Sequence, residues 1–157
     1  MTDRPTDERI AEMMGAYAEI CVNSAKDIGG ITLDYSSASV ATLDAFVGTY
    51  WPEGKPGAEK AIPDAIQAAA AYLGEVIVRS AAGVRWIWAE KEEAPMLLFP
   101  RGERADTRTW VYRRIFEGQA RRDLRHYYQV ALDLASGAAE LKDVAQRRPL
   151  WKRLRGS

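Results

Sequence analysis

Glu75 and Arg79, four residues apart in AYLGEVIVRSAAGVRWIW (71–88), are the pair in this chain whose types and spacing most invite a chemical reading. A carboxylate among apolar residues serves as a general acid or base when burial raises its pKa. Four residues ahead of a cation on a helix, it is equally one half of an ion pair in the favourable orientation, worth roughly a few tenths of a kcal/mol. Trp86 and Tyr128 are the aromatic side chains that a small-molecule or catalytic pocket around Glu75 would draw on. Helical geometry separates the two readings. At about 100° per residue, Glu75 points about 200° away from Leu73 and so off the apolar stripe of Ile62, Ile66, Ala69, Ala70, Leu73, Val76 and Ile77. The expectation is a solvated pair, with only hydrocarbon against the tryptophan segment. Gly74 is the one sign of close packing, because glycine inside a helix costs about 1 kcal/mol relative to alanine.

Other chemistry is sparse. One histidine, His126, and one cysteine, Cys21, leave no zinc site of the usual kind and no internal disulfide. His126 would have to serve any Ser-His-Asp or Cys-His arrangement, and no nucleophile motif accompanies it. IGGIT lacks the glycine spacing of a phosphate loop, so no cofactor is expected. Arg113, Arg114, Arg121, Arg122 and Arg125 lie near tyrosines, a composition compatible with nucleic-acid contact. Arg121 and Arg122 are the positions that would test it.

The totals fit one domain. The chain has 157 residues, 47% hydrophobic and 28% charged, with 22 basic and 22 acidic side chains. That composition is ordinary for a globular protein. Charge is segregated: residues 1–100 carry 8 Lys+Arg against 15 Asp+Glu, and residues 101–157 carry 14 against 7, so the halves are −7 and +7. Such halves attract on folding, or one of them offers a surface to a charged partner. No run of apolar residues is long enough for a transmembrane segment, and the charged start predicts a cytoplasmic protein. Residues 1–145 read as a single domain and 146–157 as a basic C-terminal tail.

Periodicity supplies the elements. Ile10, Met13, Met14, Tyr17, Ile20, Cys21, Ser24 and Ile28 predict an amphipathic helix capped by Thr6 and stopped at Gly29-Gly30. ITLDYS predicts a short strand, Ser36 the cap of a helix facing inward with Val40, Leu43, Phe46, Val47 and Trp51, and Pro52 its end. Pro63 opens a third helix reaching towards Gly83. VRWIW and PMLLF predict an antiparallel hairpin. Asp106 caps a helix through Trp110, Val111 and Ile115 that breaks at Gly118, and Ala120, Leu124, Tyr127, Tyr128, Ala131 and Leu134 line another that stops at Gly137. The fold class is α+β, helices packed on one face of a small, mainly antiparallel sheet from residues near 31–35, 84–89 and 95–99.

Leu33-Asp34-Tyr35-Ser36, Leu43-Asp44, Ala71-Tyr72-Leu73-Gly74-Glu75-Val76-Ile77 and Trp86, in that order, resemble a pattern found in a family of small bacterial proteins of unknown function. The resemblance covers roughly residues 31–90 and implies a bacterial α+β domain; it carries no catalytic residue. With no catalytic or cofactor signature and with segregated charge, the expectation is a non-catalytic cytoplasmic protein that binds another protein. The alternatives are a ligand pocket or enzyme site near Glu75, Trp86 and Tyr128, and nucleic-acid binding through the basic C-terminal third.

Overall fold

Helix starts and stops fall where local chemistry puts them. The computed structural model describes residues 4–50, 63–117 and 123–138. Helix α1 (Asp7–Gly29) opens at Thr6, whose hydroxyl accepts the Arg9 N–H, and closes at Gly30, left-handed at φ 64°, whose N–H bonds back to Lys26. Asp7 and Glu8 in its first turn and Lys26 in its last complement the helix dipole. Helices α2 (Ser39–Tyr50) and α3 (Pro63–Ser80) follow, then strands β1 (Arg85–Ala89), β2 (Ala94–Leu98) and β3 (Arg104–Ala105), and helices α4 (Thr107–Glu117) and α5 (Leu124–Ser136). Asp123 caps α5 by accepting the His126 N–H, and Gly137 ends it in the left-handed region. This is an α+β fold.

The sheet is antiparallel in the order β1-β2-β3, with Trp86 opposite Leu97 and Leu97 opposite Ala105. Its third strand is a correction. Residues 31–35, expected as a strand, are irregular and run into a bend at Tyr35–Ser36 and a turn at 37–38. Asp34 accepts both the backbone N–H and the hydroxyl of Ser36, and Tyr35 sits at φ 64°. A side chain that satisfies the backbone two residues on competes with a strand ladder. The Tyr35 N–H is spent on the Tyr72 hydroxyl at 2.8 Å instead. The third strand comes from Arg104–Ala105, returned against β2 by a turn in which the Phe99 N–H reaches Glu103. Two residues are too few to leave a period in the sequence.

Helix α3 is the hub. It packs against α1, α2, α4 and α5, and its residues 68–74, Val76 and Ile77 are buried. Its partner α1 turns Ile10, Met14, Ala18, Cys21 and Ala25 inward, so the expected stripe is corrected: Met13, Ile20 and Ile28 are exposed. Small residues decide this. Ala18 and Ala25 let α3 approach on an arc rotated from the one that the larger apolar residues mark. Among the described residues no helix is long and apolar enough to cross a membrane. Trp51, Pro52, Ile62, Gly118, Ala120, Arg121, Arg122 and the tail 146–157, all named above, lie outside the described residues.

Candidate functional site

Glu75 is the first place to look, and its surroundings correct the expectation of a wet ion pair. Its side chain is only 13% exposed. The Trp86 indole donates to Oε1 at 3.3 Å, and Arg79 lies 3.5 Å from Oε2. Gly15 of α1 leaves room above: a β-carbon there would stand 3.9 Å from Oε1. The adjacent Gly74 is where Trp86 presses in, since a β-carbon at 74 would fall 2.1 Å from its ring. An apolar stripe implies a wet face opposite it, but α3 is covered on nearly every side between residues 68 and 77.

The polar chain continues outward. The Arg79 guanidinium lies 3.7 Å from the centre of the Tyr35 ring, a cation–π contact. The Tyr35 hydroxyl donates to Glu19 of α1 at 2.7 Å, and its ring stacks on Tyr72 with centroids 4.8 Å apart. Burial first, and then the hydrogen bond to Glu19, push the Tyr35 hydroxyl well above the ordinary phenol range, while Arg79 opposes them. Burial likewise raises Tyr72, whose hydroxyl donates to Ser39 at 2.7 Å. Part of the sequence pattern therefore meets in space. Tyr35, Tyr72, Gly74, Glu75 and Trp86 form one junction between α1, α3, the 31–38 turn and β1. Chemically it is a joint. Both oxygens of Glu75 face partners of the chain itself, Trp86 and Arg79, and neither cavity described below reaches them; Tyr35 stays protonated.

The remaining expected site residues scatter. Tyr128 on α5 is half-buried and shares no hydrogen bond or ring contact with Glu75 or Trp86 among the described residues. Of the arginines beside the tyrosines, Arg125 is bound to Asp123 at 2.8 Å and Arg114 is buried. Desolvation raises the Asp123 carboxyl, but hydrogen bonds from Arg125 and the His126 N–H outweigh it, and the group is held below the ordinary carboxylate range. Burial pushes the Cys21 thiol up to about 12, so it is no thiolate nucleophile. Among the described residues no group of three or more His, Cys, Asp or Glu is placed to hold a metal ion.

Sequence reasoning missed the pair Asp44–Arg114. Arg114 Nε lies 2.6 Å from Asp44 Oδ1 with both side chains 3% exposed. The same carboxylate oxygen accepts the Leu124 N–H at 2.9 Å, and Arg114 Nη2 reaches the Asp44 carbonyl at 3.4 Å. Gly48 makes the space: a β-carbon there would come within 2.5 Å of Nη2. This pair locks α2, α4 and α5 together. No local spacing signals a partner seventy residues away, although Asp44 stood in the pattern above.

The open surface is on α1. Met13, Tyr17, Ile20, Ser24 and Ile28 recur at intervals of three and four residues and so share one face. Ile20 is 53% and Ile28 61% exposed. Two cavities border this face. One of about 930 Å³ lies between Tyr17, the start of α3 at Asp64 and Gln67, and the α4 side chains Tyr112, Arg113 and Phe116. The other, about 290 Å³, lies under Ile20 and Ile28 against Phe46 and Ala68. Asp64 stands on both rims. Neither cavity is lined by Glu75, Trp86 or Tyr128. The sequence did show these α1 residues, but it assigned them to the core.

No curated protein and no solved structure matches the chain. A family model does match, over residues 1–129, which takes in α1, the junction around Glu75, the hairpin and Asp44–Arg114. The chain belongs to DUF6278, a family of unknown function.

Proposed function

We propose that this is a bacterial cytoplasmic protein that acts without catalysis, by seating another polypeptide on the open face of α1. The observation that carries the reading is the exposure of Ile20 and Ile28 in line with Met13 and Tyr17, on a helix whose neighbouring arc is fully packed. Isolated exposed apolar residues are ordinary, but a contiguous stripe along one helix is the pattern of a helix-binding surface. The contacts of Glu75 support the same reading, because Trp86 and Arg79 give this carboxylate a structural role.

The test is site-specific photocrosslinking in the native host. A photoreactive residue at position 20 is expected to yield a discrete polypeptide adduct, and one at Lys26, about 120° round α1 from it, is not. Equal adduct patterns from the two positions, or none from position 20, would overturn the proposal.

A further inference from the structure

Resting on that reading, we infer that the polypeptide seated on α1 is a second copy of this chain, the two α1 helices running antiparallel about a twofold axis that crosses the open face at the level of Ala18 along the helix. Charge placement argues for it. Arg9 and Asp27 are both exposed, and neither forms an ion pair among the described residues. They stand eighteen residues apart, five whole helical turns at 3.6 residues each, so they lie on the same side of the helix. That side is about 20° from Ile20, along one edge of the apolar stripe. Ala18 is their midpoint.

A twofold axis perpendicular to two antiparallel helices returns this edge to itself. Arg9 of one copy then comes level with Asp27 of the other, and the contact occurs twice per dimer, as an isologous interface requires. The same operation brings Tyr17 within one residue, about 1.5 Å, of the level of Ile20, and Met13 equally close to Ser24, so these two layers each pair a larger side chain with a smaller one. Parallel pairing would instead bring Arg9 against Arg9 and Asp27 against Asp27, which like charges oppose. Helix α1 is about 35 Å long, enough for the whole stripe to engage. Tyr112, also exposed and sharing the larger cavity with Tyr17, extends the apolar patch onto α4.

Sedimentation equilibrium of the full chain over a wide dilution range tests this. The expected result is a reversible monomer–dimer equilibrium. Ile20→Asp should leave a monomer with unchanged helical circular dichroism, since Ile20 is half exposed and lies outside the buried core. Arg9→Asp and Asp27→Arg should each raise the dissociation constant about tenfold, and the double exchange should return it near the starting value. A monomer at every concentration overturns the inference, as does a dimer indifferent to Ile20→Asp or a double exchange weaker than either single one. The two proposals fail separately: a monomeric chain that still crosslinks a foreign polypeptide through position 20 keeps the binding face and discards the second copy. A monomer with no adduct discards both.

Discussion

Two ion pairs hold this molecule in different ways. Asp44–Arg114 joins residues far apart in the chain, with both partners almost sealed from water. Glu75–Arg79 spans one helical turn, with the acid largely covered and the cation about half exposed. Burying a full ion pair carries a desolvation cost that its attraction offsets only with good geometry and further hydrogen bonds. Asp44 has them, from Arg114 and the Leu124 N–H. For Glu75 the ion pair is the lesser contact, reaching an arginine that water already solvates; the hydrogen bond from Trp86 and the space kept by Gly74 matter more. A buried remote pair is a lock between elements, and a local pair at the rim is an adjustment within one.

The largest expected effect breaks the lock. Asp44→Ala leaves the Arg114 guanidinium buried without its counter-charge and should lower unfolding stability by about 3–5 kcal/mol, read from urea denaturation. The double change Asp44→Leu with Arg114→Met should cost less than Asp44→Ala alone. If Asp44→Ala costs no more than a surface substitution, the contrast between the pairs is false. Next comes Gly74→Ala, which drives a methyl group into the Trp86 ring; a loss of about 1–3 kcal/mol is expected, with an altered near-ultraviolet tryptophan signal. The smallest effect sharpens the comparison. Glu75→Gln keeps an oxygen for the Trp86 indole and loses only the charge facing Arg79, so the cost should stay within about 1 kcal/mol. A loss as large as that of Asp44→Ala would place both pairs in one class.

What the sequence made legible was local. Thr6, Gly30, Pro63 and Gly137 mark helix ends because capping and left-handed turns depend on a few neighbouring residues. The hairpin was legible from its alternation, and the α+β class followed. The failures share one cause, which is that the deciding partner lies across the fold. The turn at 31–38 depends on the Tyr72 hydroxyl from α3. The inward face of α1 was chosen by how closely α3 fits against Ala18 and Ala25, and the depth of Glu75 by a tryptophan from β1. Of the site, sequence periodicity found every residue of the open α1 stripe but placed it on the wrong side of the surface. Its exposure depends on where α3 ends up.

The crowding around α3 also governs where the molecule can be altered. A helix walled in from residue 68 to residue 77 has no position in those turns for a fluorophore, an affinity handle or an inserted epitope. Helix α1, sealed along one arc and bare along the next, can carry such additions on its polar back without disturbing either the interior or the bare apolar stripe.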